Sequence, residues 1–441
     1  MSTPKDARIT LDLGEIPRRW YNLTADLKEP PEPPLNPATM KPATKEDLGV
    51  IFPPSIIEQE MSTKRYINIP QEIIDNYVCL NRPSPLQRAF RLEKFLKTPA
   101  KIYFKREDMS PLGSHKGNSA LAQAYYNAKD GIHTLTTETG AGQWGTALAL
   151  ASSIFDIDCT VFMVRVSYEQ KPFRRTIMNT YGAKVYSSPS PVTEYGKLVQ
   201  KQYPDTPGSL GIAISEAIEI AAKDPKTMYA LGSVANHVML HQTVIGLETM
   251  AQMKKAEIVP DYMVACAGGG SNFAGFTFPM IGEKIKGKTD CEFVAVEPKA
   301  AASLTEGEYR YDSGDTAGMT PLFKMYTLGH DFVPSAIHAG GLRYHGMSPL
   351  VSKAYDEGLL SARSYDQTET FEAGLMFAKC EGIIAAPESN HAVKAAIDLA
   401  LDAKKAKEEK TIVFCLSGHG LLDLGGYEKF IHGDLASSAK H

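Results

Sequence analysis

The stretch YMVACAGGGSNFAG (262–275) runs as an apolar strand, stops in three consecutive glycines and continues in helical spacing. The glycines free the backbone to turn its N–H groups toward one point. Ser271 and Asn272 add side-chain donors, and a helix N-terminus, which favours anions, begins there. The stretch therefore reads as a phosphate cradle at the carboxyl end of a strand. It has neither the G-x-G-x-x-G spacing of a dinucleotide site nor the G-x-x-x-x-G-K-[ST] spacing of an ATP site. A plain flexible turn would explain the glycines, but not their place between a strand and a helix.

The same strand-turn-helix unit recurs after residue 100. Strand-like runs are KIYFKRED (101–108), HTLTTET (133–139), CTVFMV (159–164), AKVYSS (183–188), residues 228–231 and 262–267, EFVAVEP (292–298) and TIVFCL (411–416). Helical patterns cover 114–130, 145–155, 172–182, 211–223, 238–253, 368–380 and 390–408, the first with Ser114 as its N-cap and Gly131 just past its end. Repeated β-α units predict an α/β fold of two domains, each a mostly parallel sheet flanked by helices. Ligands of such sheets sit outside the carboxyl ends of the strands.

A chain of 441 residues is too long for one ordinary domain, and its 43% apolar and 22% charged content is that of a soluble globular protein. The net charge of −4 offers no broad basic surface to nucleic acid or a membrane. No run approaches the about 20 apolar residues of a membrane span. MSTPKDARITLDLGEIPRRW at the start lacks the apolar core of a signal peptide, so a cytoplasmic location is expected. Cys79, Cys159, Cys266, Cys291, Cys380 and Cys415 form no C-x-x-C pair and read as buried thiols of a reducing compartment. Residues 1–80 stand apart. KEPPEPPLNP (28–37) reads as extended, polyproline-like chain. Trp20, Tyr21, Ile51, Phe52, Ile56 and Ile57 are apolar enough to dock, so this segment is expected to wrap over the main body or to form part of a subunit interface.

Three further stretches carry chemistry. GSHKG (113–117) puts Lys116 in a first helical turn, a poor place for a cation. A solvated surface lysine is the ordinary explanation. Against it, Gly113, Ser114 and Gly117 leave room for a ligand, and a lysine near other positive potential has a lowered pKa and a nucleophilic amine, as Schiff-base chemistry requires. TETGAGQWGTA (137–147) is a glycine-rich loop whose amides suit a carboxylate, with Glu138 at the strand end as a proton shuttle or a helix-capping group. FCLSGHGLL (414–422) sets Ser417 in a glycine-flanked turn after the last strand. A phosphate cradle together with a lysine primed for a Schiff base points to pyridoxal phosphate (PLP).

RPSPL (82–86), KRED and GSHK (105–116), ETGAGQWG (138–145), GGGSN (268–272), EGIIAAPESNHA (381–392) and SGHG (417–420) occur in this order and spacing. Together they resemble the tryptophan synthase beta chains, inside the wider fold type II family of PLP-dependent β-replacement enzymes, over about residues 80 to 425. The N-terminal extension, the lack of a histidine after Gln143, and AGGLRYHG (339–346) resemble the longer subgroup found mainly in archaea and some bacteria. The resemblance implies a lyase that condenses indole with L-serine to give L-tryptophan. It implies that Lys116 carries PLP, that His115, Gly268, Gly269, Gly270, Ser271 and Asn272 hold its phosphate, that Glu388 lies near its ring and that Ser417 faces the pyridine nitrogen. It makes Glu138 the catalytic acid/base and Thr139, Gly140, Ala141, Gly142, Gln143 and Trp144 the loop for the substrate carboxylate. A hydroxyl rather than a carboxylate at the ring nitrogen leaves the carbanion less delocalised, which favours loss of a β-leaving group over transamination. The resemblance further implies discontinuous domains: 81–115 joined to 241–441, and 116–240 with 131–228 as its mobile part, besides the 1–80 extension. A homodimer, a tryptophan synthase alpha chain as partner and a monovalent cation (Na+ or K+) near GGGSN complete what it implies.

Arg343 departs from the pattern, since the common subgroup has an aspartate there that holds the serine hydroxyl. Two readings stay open: Arg343 is turned to a salt bridge elsewhere, or it pairs with a more anionic leaving group, which would make O-phospho-L-serine the donor. Serine or threonine dehydratases, threonine synthases and cysteine synthases share the fold, but carry a Ser/Thr-Gly-Asn type loop where this chain has ETGAGQ. A non-catalytic PLP-binding paralogue is a third reading, and Lys116, Glu138 and GGGSN stand against it. His237 and His241, four apart on a helix, lack a third ligand and read as packing or a site wall rather than a zinc site, so no metal centre is expected.

Overall fold

The 262–266 run forms a central strand of a seven-stranded sheet, in parallel pairing with Thr411–Leu416 on one side and Glu292–Pro298 on the other. In this computed structural model, which describes residues 6–437, the spatial order is Arg8–Ile9, Leu86–Arg88, Lys101–Arg106, Thr411–Leu416, Tyr262–Cys266, Glu292–Pro298 and Ser361–Tyr365. The outer ends of the expected 1–80 and 241–441 regions, residues 1–5 and 438–441, lie outside the described residues. The first two strands are antiparallel to their neighbours and the other five run parallel. The helices Gln367–Glu381 and Pro387–Ala406 cover one face, burying Ile102, Phe104, Val264, Val294 and Phe414. Burial on both faces explains why these strands read as continuous apolar runs rather than alternating ones.

A second sheet has the order Lys184–Ser188, Asp158–Val164, Thr134–Thr139, Thr227–Tyr229, with every pair parallel. Two mostly parallel sheets flanked by helices are the α/β class that the alternation predicts. Two antiparallel ribbons, Arg19–Tyr21 with Tyr66–Asn68 and Glu308–Ser313 with Leu322–Thr327, carry no such periodic signal.

Several local expectations are corrected. Ser114 does not cap a helix: the helix is Gly117–Lys129 with Lys116 at the N-cap, while Ser114 bridges to Gly418 and the His115 amide donates to the Ser417 carbonyl. Pairing with the loop after the last strand keeps 114–115 out of the helix. The 238–253 pattern is two helices, Asn236–Gln242 and Val244–Lys255, meeting at Thr243. There the Thr243 hydroxyl donates to the Leu240 carbonyl (2.7 Å) and accepts the Tyr21 amide (2.9 Å). Cys159, Cys266, Cys291 and Cys415 are buried, but Cys79 is exposed and Cys380 half-buried, each near the end of a surface helix.

The segment before residue 80 is packed into the body. Trp20, Tyr21, Ile51, Phe52, Ile56 and Ile57 are at most 5% exposed. Residues 48–57 lie against Phe162, Ile214, Ile218 and Tyr229 of the four-stranded layer. The proline-rich stretch is extended, and Leu35 exchanges backbone hydrogen bonds with Leu322. Among the described residues no helix is long and apolar enough to cross a membrane.

Candidate active site

The loops after five strand ends (Arg106, Thr139, Tyr229, Cys266 and Leu416) meet around two adjoining chambers. The cradle chamber is lined by His115, Lys116, Cys266, Gly268–Asn272, Glu388 and Ser417. The acid chamber is lined by Lys116, Glu138, Thr139, Gly140, Ala141, Gln143 and Trp144, with an apolar wall of Leu210, Ile214, Leu231, Val234 and Tyr344. Lys116, Gln143, Ser233, Gly269 and Gly341 belong to both.

Lys116 stands at the junction. Burial holds its amine below the usual lysine range and outweighs the pull of Glu138 and Glu388. The cause therefore differs from the positive potential expected: its charged neighbours are acids, and desolvation lowers the pKa against them. His115 is held neutral, pushed down to about 3 by burial and by Lys116. Its Nδ1 donates to the Ser417 carbonyl (3.3 Å), and its buried Nε2 has no partner among the described residues.

The cradle is built from backbone. Gly270 is in the left-handed region (φ 103°) just before the helix Ser271–Ile285, and the amides of Gly268, Gly269 and Gly270 find no acceptor among the described residues. A Cβ on Gly268 would come within 2.7 Å of the Gly341 carbonyl. The Asn272 side chain turns beneath the loop, donating to the Cys266 carbonyl (3.1 Å) and accepting from the Cys415 thiol (3.2 Å), so it braces the cradle rather than adding a donor to it. Opposite, Ser417 Oγ lies 2.6 Å from Ser389 Oγ and 3.5 Å from the Cys266 thiol, which burial pushes up to about 11 and keeps neutral.

Glu138 is the last residue but one of its strand and is 5% exposed. Burial pushes its carboxyl up to about 7, against the lowering effect of Tyr229, whose hydroxyl donates to Glu138 Oε2 at 2.6 Å. The Gly232 amide reaches Oε1 at 3.4 Å. Beyond it the glycine loop leads into the helix Gln143–Ile154 through Gly142, again left-handed (φ 91°). The Gly140, Ala141 and Gly142 amides find no acceptor among the described residues, which leaves them free for an anion at a helix N-terminus. Gln143 Nε2 donates to Glu388 Oε2 (3.2 Å), and the Gly341 amide donates to Glu388 Oε1 (2.9 Å), so Glu388 ties the loop to the opposite wall.

Two of the expected site residues line neither chamber. Gly142 backs onto Arg174. Arg343 is buried with its Nη2 donating to the Pro334 carbonyl (2.6 Å) and forms no salt bridge among the described residues; burial alone lowers it to about 10. His237 and His241 are packed, the first with Nδ1 on Glu60 (2.7 Å), the second with Nε2 on Gln59 (2.6 Å). Ser233, Tyr229 and Tyr344 join the site through the fold, and Cys266, which the sequence shows only as a buried thiol, lines the cradle chamber. For Ser233 a signal exists, since LGSVAN (231–236) is another small-residue turn between a strand and a helix.

PLP fits this site on the structure's own terms. Three free amides at a helix N-terminus suit its phosphate, a half-buried lysine of lowered pKa suits its aldehyde, and Ser417 suits its ring nitrogen.

Such a site is that of a PLP enzyme, and the model of the pyridoxal-phosphate dependent enzyme family matches residues 80–418. The chain is 57% identical over 431 residues to tryptophan synthase beta chain 2 of Methanosarcina acetivorans, covering 98% of this chain and 97% of that one. It is 58% identical to the protein of that name from Methanothermobacter thermautotrophicus (97% and 99% covered) and 57% identical to that from Aquifex aeolicus (97% and 99%). The chain belongs to the tryptophan synthase beta chain family of PLP-dependent enzymes. A crystal structure of a fungal L-serine ammonia-lyase from Rhizomucor miehei shares the fold, with a TM-score of 0.58 at 15% identity over 80% of this chain and 98% of that one.

Proposed function

We propose that the chain condenses indole with L-serine, replacing the serine β-hydroxyl to give L-tryptophan and water. The observation that carries this reading is the placement of Glu138, an acid brought to about 7, in one chamber with Lys116 and an apolar wall of Leu210, Ile214, Leu231, Val234 and Tyr344 that suits an apolar co-substrate. When bound, PLP would supply the electron sink that labilises the α-proton and the β-hydroxyl of serine.

The free amides of Gly140 and Ala141 hold the substrate carboxylate, with Thr139, Gln143 and Trp144 shaping that loop and Gly142 turning it into the helix. The Lys116 amine, once free, takes the α-proton. Glu138 delivers its proton to the departing β-hydroxyl and then accepts the indole N–H proton, a double role that a carboxyl near neutrality can fill. Gly268–Ser271 and His115, which line the cradle chamber with Glu388 and Ser417, would hold the cofactor phosphate; Glu388 would lie near the ring, and the neutral Ser417 would place no charge at the ring nitrogen. L-serine is the donor favoured here, because Arg343 is turned to Pro334 and away from both chambers. The lobe 116–240, with 131–228 moving, would close the acid chamber against the wall at Gly340 and Glu388. A second copy of this chain and an alpha chain supplying indole are the partners expected from a beta chain.

The test feeds the PLP-loaded chain L-serine with and without indole and measures tryptophan and pyruvate. Tryptophan with suppressed pyruvate is expected. Pyruvate formed equally fast in both cases would make the chain a dehydratase instead. Lys116→Ala is expected to lose both turnover and the visible absorbance of the lysine-bound cofactor.

A further inference from the structure

The wall of the acid chamber at Leu231, Gly232, Ser233 and Val234 hangs between two anchors, and both belong to the segment before residue 80. At one end Tyr229, the last residue of an edge strand, donates its amide to the Ile51 carbonyl (2.9 Å), and the Phe52 ring lies 6.1 Å from the Tyr229 ring at 31°. At the other end the Glu60 carboxylate accepts the amides of Asn236 (3.1 Å) and His237 (2.9 Å) and pairs with His237 Nδ1. Tyr229 in turn reaches inward to Glu138 at 2.6 Å.

We propose that Tyr229 is the positioning residue of Glu138, and that residues 51–60 serve the reaction by holding Tyr229 and the 231–234 wall in place. The inference rests on the assignment of Glu138 as the acid/base. Tyr229 is packed behind the wall residues Ile214, Val234 and Tyr344 and does not itself line the acid chamber, and burial with Glu138 at hand holds its phenol well above the usual range, so it acts as a donor throughout. The Thr137 hydroxyl (3.3 Å, on Oε2) and the Gly232 amide (3.4 Å, on Oε1) are the longer contacts of the carboxyl, so the 2.6 Å bond from Tyr229 is the one that fixes its rotamer and most favours the ionised form. The charged and titratable groups facing the pair are few: Lys116 across the chamber, and Tyr344 and Asp315 behind Tyr229. None of them replaces the hydrogen bond.

Tyr229→Phe keeps the ring and removes the donor. With the PLP-loaded full chain, the ionisation of Glu138 in the pH profile of kcat should move up by about 1 unit, whichever protonation state is active. Both kcat and kcat/KM should fall about ten-fold or more with KM for L-serine little changed, as for a group that acts in the transition state. Cofactor absorbance and melting temperature should stay at wild type. Phe52→Leu, which loosens the ring without touching the bond, should shift the profile the same way by less, and it decides the matter if Tyr229→Phe fails to fold. A pH profile that stays in place in the variant overturns the proposal. Glu138→Gln separates the two levels: retained turnover there would remove the acid assignment itself, whereas lost turnover beside an unmoved Tyr229→Phe profile would remove only the role of Tyr229.

Discussion

Gly140→Ala tests how closely the two walls of the acid chamber must meet. Gly140 follows the strand carrying Glu138, and an added Cβ would lie 2.5 Å from the carbonyl oxygen of Gly340, where about 3.4 Å is ordinary contact. Both partners are backbone, so no side chain can rotate away, and the loop must part from Gly340 by about 0.9 Å. That displacement moves the free amides of Gly140 and Ala141 and strains the Gln143–Glu388 tie next to them. A misplacement near 1 Å in a substrate-positioning loop costs about 100-fold in rate, or about 2.7 kcal/mol of barrier. The assay is kcat/KM for L-serine at saturating indole, beside the melting temperature. The expected result is a loss of about 100-fold with a melting temperature close to wild type. Gly425→Ala, whose Cβ would meet nothing within 4 Å, serves as the control and should be unchanged. If Gly140→Ala works within about three-fold of wild type, the loop does not position the substrate through this contact.

Other expectations follow from buried charge and from Arg343. Arg82 donates to Glu248 through Nε (3.0 Å) and Nη2 (2.8 Å) and to Glu107 through Nη1 (2.8 Å), while Lys105 also pairs with Glu248 (2.8 Å), all of them at most 2% exposed in their side chains. Glu248→Gln leaves Arg82 and Lys105 with one carboxylate between them and should cost about 3–5 kcal/mol in urea unfolding; a loss under about 1 kcal/mol would contradict this. Glu107, in the same network, would be raised by burial, but Arg82 and Lys105 win and hold it at about 2. A depressed carboxyl contributes its stability above its unfolded value near 4.5 and loses it as pH falls toward 2, so Glu107→Gln should flatten acid unfolding in that window. The wild-type rate should show an ionisation near 7 that Glu138→Gln abolishes together with about 100-fold to 10,000-fold of kcat. Arg343→Ala should lower turnover of L-serine and O-phospho-L-serine by the same factor, whereas a loss confined to phosphoserine would set the guanidinium at the leaving phosphate.

What the sequence determines here is what short spacing can encode. YMVACAGGGSNFAG becomes a strand, a left-handed glycine turn and a helix because each step is decided by neighbours within a few residues. The same holds for ETGAGQWG and its Gly142 turn, so both glycine turns and Glu138 at a strand end are legible before any contact is known. The Ser114 cap fails because the chain there answers to Gly418, far along the sequence. Lys116 has a lowered pKa for a reason no local pattern contains, namely the desolvation that two sheets and their loops impose. Glu138 reaches neutrality the same way, with a tyrosine 91 residues away holding its oxygen. The place of residues 51–60 against that tyrosine, and the turn of Arg343 toward Pro334, are likewise set by packing. Local spacing selects which groups stand at the strand ends. Their protonation and aim follow from burial and from partners brought together only when the chain has closed around them.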